Sequence, residues 1–116
     1  MISEIIKQAP MAADFETDWT VIALQGVSSY QEAVATSVQL SWSGAAGDLD
    51  GTVEIFATND LALPPISEVY DVARSDADGT LIVFLYPLFK YLKIKYHHNG
   101  NSGGYISAVL FYEKIN

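Results

Sequence analysis

Two Asp-x-Asp-Gly turns, Asp48-Leu49-Asp50-Gly51 and Asp76-Ala77-Asp78-Gly79, come nearest in this chain to residues spaced for chemistry. Hard cations such as calcium take several oxygen ligands from one tight loop, so a metal is the chemistry to test. Aligned with positions three and five of a helix–loop–helix calcium loop, the aspartates put Ala46 or Arg74 at position one and Ala57 or Leu85 at position twelve. Carboxylates are required there. Asp-Gly before a strand is also a favoured tight-turn pair, so the expectation is turn formation and no metal. His97 and His98 are adjacent; on a strand they project to opposite faces and do not share a metal. Asp48 and Asp50 would need a cleft to act as a glycosidase pair, and a sandwich of this size rarely has room for one. No Gly-x-Ser-x-Gly elbow, phosphate-binding Gly-rich loop or His-Glu-x-x-His occurs, and nothing poises a nucleophile. The chain is expected not to be an enzyme, with no catalytic, cofactor-binding or metal-ligating residue.

Aromatic residues are the remaining chemical feature. Trp19, Trp42 and seven tyrosines could stack on the faces of sugar rings. Trp42 runs in phase with Val38 and Leu40, and Tyr96 with Ile94, which assigns both to the core. Trp19, Tyr30, Tyr91 and Tyr105 remain as candidates for exposed contacts.

A chain of 116 residues, half of them apolar and with no cysteine, suits one domain without a disulfide framework. Glu4 and Lys7 interrupt the apolar start, so no targeting segment is read there. The longest apolar stretch, residues 81–89, is less than half the ~20 residues a membrane-spanning helix needs. A soluble protein without a membrane partner is expected. Net charge is −8, from 13 acids and 2 bases in residues 1–80 and 1 acid and 4 bases in residues 81–116. An acidic body repels phosphate backbones, so no nucleic-acid partner is expected, and Lys90, Lys93 and Lys95 read as a solvated strand face.

The elements that must carry these residues are strands. Val34, Thr36, Val38, Leu40 and Trp42 alternate with Ala35, Ser37, Gln39 and Ser41, the period of a half-buried strand. Residues 19–24, 52–58, 66–73 and 80–86 supply four more, the last continuously apolar and expected at the centre of the core. Residues 90–96 and 105–112 read as one long β-hairpin joined through Asn99-Gly100 and Gly103-Gly104. The fold expected is all-β: a single antiparallel β-sandwich, jelly-roll-like, of about seven strands over residues 19–116. Residues 1–18 are expected to form an N-terminal arm outside the main sheets, ended as a helical turn by Pro10. The stretch Asp48 to Phe56 is echoed by Asp76 to Phe84, the same turn-then-strand solution used twice.

The succession Leu40-Ser41-Trp42-Ser43-Gly44, Leu49-Asp50-Gly51-Thr52-Val53-Glu54-Ile55 and Thr58-Asn59-Asp60 leads on to Phe89-Lys90-Tyr91-Leu92-Lys93-Ile94-Lys95-Tyr96 and Asn101-Ser102-Gly103-Gly104. It resembles small β-sandwich structural proteins of bacteriophages and prophages over residues 38–112. That resemblance implies a non-enzymatic virion component of the capsid, collar or tail, whose partners are other virion proteins. The alternative is a glycan-binding β-sandwich module. Ile2, Ile5, Ile6, Met11 and Phe15 have too few neighbours in sequence to be buried locally, which points to packing on a partner subunit. A homo-oligomer is therefore expected, and the resemblance to virion proteins implies a trimer before a dimer.

Overall fold

A β-strand with one wet face hides every second side chain, and the structure does this most regularly along Thr52–Thr58 and Tyr91–His97. The computed structural model describes residues 2–22, 33–72, 76–85 and 90–115. Among these residues nine strands occur: β1 (Ile2–Pro10), β2 (Phe15–Glu16), β3 (Thr20–Val21), β4 (Ala33–Gly47), β5 (Thr52–Thr58), β6 (Ile66–Asp71), β7 (Gly79–Leu85), β8 (Tyr91–His97) and β9 (Asn101–Ile115). They form two antiparallel sheets. The first runs β1-β9-β4-β7, and the second runs β2-β8-β5-β6 with β3 also paired to β8.

One core lies between the sheets. Ile6, Val38, Leu40, Val83, Ile106, Ala108 and Leu110 face it from the first, and Val53, Ile55, Leu92, Ile94 and Tyr96 from the second. The chain is all-β and sandwich-like, as its alternation predicts.

Three expectations are corrected. The hairpin expected between residues 90–96 and 105–112 does not form: β8 pairs with β2, β3 and β5, whereas β9 pairs with β1 and β4. The turn is present, with Asn99 and Gly100 both at positive φ and the Asn101 N–H donating to the His98 carbonyl at 2.8 Å. It is a corner between layers. Leu92, Ile94 and Tyr96 then face Ile106, Ala108 and Leu110 across the core, where a hairpin would have put both stripes on one face of one sheet. Gly103 and Gly104, expected in the connection, lie inside β9.

The arm expected over residues 1–18 is part of the sheets. β1 pairs along β9 from Ile2 opposite Phe111 to Pro10 opposite Tyr105, and β2 pairs with β8. Ile6 and Met11 are buried in the chain's own core, and Ile5 and Phe15 pack against it. No turn of helix forms. Ile2 alone of the five apolar side chains is largely exposed. β1 and the two-residue β2 account for the excess over the seven expected.

The strand expected at the core's centre, β7, is instead the edge of the first sheet. Ile82 is exposed while Val83 is buried, so even a continuous apolar run shows water one face.

The echoed Asp-x-Asp-Gly turns share a reason. A Cβ added to Gly51 would lie 3.1 Å from the Tyr96 hydroxyl, and one on Gly79 would lie 2.5 Å from the Trp42 indole. Each glycine opens the space an aromatic ring fills at the start of the following strand.

A polar joint closes the core. The Met11 carbonyl accepts from the buried Tyr96 hydroxyl at 2.9 Å and from the Asn101 side-chain amide at 3.0 Å. Asn101 also donates to the Gly103 carbonyl at 2.7 Å and accepts the Ala46 N–H at 3.2 Å. Phe15 packs on Tyr96 with ring centroids 5.2 Å apart. Burial pushes the Tyr96 hydroxyl up from its ordinary pKa, so it stays a donor.

Candidate functional site

Of the four aspartates first weighed for metal chemistry, Asp78 holds a neighbouring segment through its carboxylate, whereas Asp50 and Asp76 do so through their backbone carbonyls. The Asp78 carboxylate accepts the Gly44 N–H at 2.9 Å, and the Asp76 carbonyl accepts the Trp42 indole N–H at 3.1 Å. The Asp50 carbonyl accepts from the Asn99 amide at 3.1 Å. Asp48 lies against Gly100, in the space a Cβ there would need.

His97 and His98, expected to diverge, both approach Asp14. Their ring nitrogens lie 3.9 and 3.6 Å from its carboxylate oxygens. The strand ends at His97, so alternation no longer governs His98. The His98 backbone N–H donates to Asp14 at 2.8 Å, and this bond, aided by the cationic side chains nearby, holds the Asp14 carboxyl below its ordinary range. His97 Nε2 also stands 3.4 Å from Glu54.

Around them the outer face of the second sheet is a set of contacts. In register, Thr52 faces His97, Glu54 faces Lys95 and Phe56 faces Lys93. The Lys93 ammonium donates to Glu16 and sits 4.9 Å from the Trp19 ring centroid and 5.2 Å from that of Phe56. That hydrogen bond, with the Lys93 charge, holds the Glu16 carboxyl low. Lys93 was expected to be a solvated face; it is instead clamped between two rings by its own chain. On the core-facing side of β6 the Tyr70 hydroxyl donates to Glu68, and burial followed by that bond pushes it up to about 12.

The outer face of the first sheet differs in kind. A depression of about 300 Å³ opens there, lined by Gln8, Ser41, Trp42, Ser43, Tyr105 and Ser107. The register explains the grouping: Ser41 faces Ser107 and Ser43 faces Tyr105 across β4 and β9, all on the side away from Leu40, Ile106 and Ala108. Two irregularities flank it. Between Ile6 and Ala9 the strand β1 carries two residues opposite Ser107 alone, and Gln8 takes a φ of 48° with its N–H donating to the Ser107 hydroxyl at 3.0 Å. Between Ser43 and Ala46, β4 shifts register against β9. Bulges bend a strand and increase its twist, which hollows a surface otherwise evenly pleated.

Of the four aromatic candidates, Tyr105 is 56% exposed and borders this depression. Trp19 is occupied by Lys93 on the opposite sheet, and Tyr91 is half-buried beside Thr58 and Val21. Tyr30 lies outside the described residues. Trp42, expected in the core, packs partly against it yet also borders the depression. The sequence reading missed Gln8, because neither glycine nor proline marks the bulge that places it.

A second exposed feature runs along the edge of the second sheet. Leu61, Leu63, Ile66 and Val69 are 52%, 60%, 72% and 60% exposed, an apolar ledge that runs along the loop 59–65 and β6, with Ile66 and Val69 on opposite faces of the strand.

Set beside known proteins, the chain matches no protein-family model, and no match is found among curated proteins.

Proposed function

We propose that the chain is a non-enzymatic structural protein of a bacteriophage particle, working by self-assembly and by docking on other virion proteins. The observation that carries this reading is the apolar ledge. A protein acting alone scatters its exposed large apolar side chains, whereas four within nine residues, two in the loop 59–65 and two on the edge strand that follows it, mark a contact surface. The ledge replaces the N-terminal arm as the docking element, since the arm's side chains are used inside the chain.

Strand order supports a jelly-roll form of the sandwich. With β2 and β3 counted as one interrupted strand along β8, β4 becomes the third and β9 the eighth. The antiparallel pairs are then first with eighth, second with seventh, third with sixth and fourth with fifth. That is the pairing of a long folded ribbon rolled into two layers, a form common among capsid domains. In this reading the assembly is a homo-oligomer, a trimer before a dimer, located in the virion and needing no cofactor.

The test is a Leu63→Asp/Ile66→Asp double variant, followed by sedimentation and by co-purification with assembled particles. The intact chain should sediment as an oligomer or travel with particles, and the variant should do neither while keeping its far-ultraviolet spectrum. An intact chain that is monomeric and absent from particles would end the proposal.

A further inference from the structure

We infer that the depression on the first sheet's outer face is a binding site for a neutral saccharide, with Tyr105 as the stacking platform and Gln8, Ser41, Ser43 and Ser107 as hydrogen-bonding partners. The inference is independent of the assembly reading, since it uses the opposite sheet.

The chemistry of the lining selects the ligand class. None of its six residues carries a charge, so nothing there compensates a phosphate, carboxylate or ammonium group taken out of water. Three hydroxyls and one carboxamide both donate and accept, which matches a ligand whose own groups are hydroxyls. One exposed phenol ring adds an apolar plane on which the C–H face of a pyranose can rest, leaving its edge hydroxyls to the serines. The volume, about 300 Å³, lies at the small end of ligand sites and suits one or two sugar rings.

The backbone supports the same conclusion. Gln8 is one of two described residues other than glycine at positive φ, and the second, Asn99, is explained by its tight turn. A glutamine gains nothing from that conformation, and glycine would hold it with less strain. The bulge brings Gln8 to the lining of the depression and makes the Ser107 hydroxyl the acceptor of its N–H, which leaves the Ser107 proton free to donate to a ligand. The bulge accounts for the positive φ of Gln8, and its place next to a hollow with convergent polar groups fits a binding site.

The full chain, labelled with nitrogen-15, is titrated separately with methyl α-D-glucopyranoside, methyl α-D-mannopyranoside, methyl β-D-galactopyranoside and N-acetylglucosamine. At least one should give saturable shifts at the amides of Gln8, Tyr105 and Ser107, with a millimolar dissociation constant. Tyr105→Ala, at an exposed position, should weaken that binding roughly tenfold without unfolding the chain. Gln8→Gly should weaken binding and raise the melting temperature together, a pairing that a purely structural glutamine would not give. No saturable shift at these amides with any of the four sugars overturns the proposal, as does binding unchanged in Tyr105→Ala. Sugar shifts that persist in the Leu63→Asp/Ile66→Asp variant separate this site from the assembly surface.

Discussion

The two outer faces arise from the same alternation, yet they use their polar groups in opposite ways. On the second sheet, Lys93 is held by Glu16, Trp19 and Phe56, and Asp14 gathers His97 and His98. On the first, Ser41, Ser43, Tyr105 and Ser107 surround an uncharged hollow beside a bulged β1. Charge explains the difference. Ions left on a surface find counter-ions within their own chain, whereas hydroxyls and amides are satisfied by water and can exchange it for a ligand. A face rich in charges is therefore a poor guide to where this protein binds.

The comparison breaks hardest where both faces depend on one segment. Residues 1–15 supply Gln8 to the first face and Asp14 to the second, and they carry the buried Ile6 and Met11. Truncating a buried residue of that size costs about 2–5 kcal/mol, so losing both together with β1 approaches the whole stability of a small domain. Deletion of residues 1–15 should abolish cooperative thermal unfolding by circular dichroism. A truncated chain that melts cooperatively near the intact value would show that β1 is dispensable.

A smaller cut separates the core from the faces. Asn101→Ala removes the donor to Met11 and Gly103 and leaves the Ala46 N–H without its acceptor. The cost expected is about 1–3 kcal/mol in urea unfolding, with both outer faces intact in the folded state. A loss below about 0.5 kcal/mol would mean that water replaces the amide at no penalty.

The least effect comes from acid, and it touches one face only. Asp14 and Glu16 have folded-state pKa values below their ordinary ones, so their contribution is present above the unfolded pKa and is lost as pH falls through the folded value. The melting temperature should hold from neutral pH to about 5 and drop below about 4. An Asp14→Asn/Glu16→Gln variant should drop less steeply. Equal slopes for the two proteins would show that these contacts are geometric only.

Much of the fold was legible because period-2 alternation is a strong signal: β5 matches its expected bounds, β7 and β8 lie within one residue of theirs, and β4 starts where expected but runs on through the expected turn to Gly47. What alternation does not encode is which sheet a strand joins. The stripes Leu92-Ile94-Tyr96 and Ile106-Ala108-Leu110 read identically for a hairpin and for two facing layers. The N-terminal strand escaped notice because two register shifts, between Glu4 and Ile6 and between Ile6 and Ala9, break the period and put Ile5, Ile6 and Met11 out of phase. The site was half-legible. Tyr105 stood out as an unplaced aromatic, but three serines on two distant strands carry no pattern until register brings them together.

The position of β9 sets the order of assembly in time. It lies between β1 and β4, so Ile2 meets Phe111 across more than a hundred residues, and β1 has no partner in its sheet until β9 arrives. The pairs β5 with β6 and β4 with β7 span much shorter stretches and can close first. Contacts between distant residues are reached slowly because loop closure must precede any reward, which places such a chain among millisecond-to-second folders. Until β9 inserts, the inner sides of β1 and β4 stand open, and an extended segment from a neighbouring chain can fill the gap. The hollow bounded by Ser41 and Ser107 is therefore among the last features to exist, formed only when the sheet that holds it is complete.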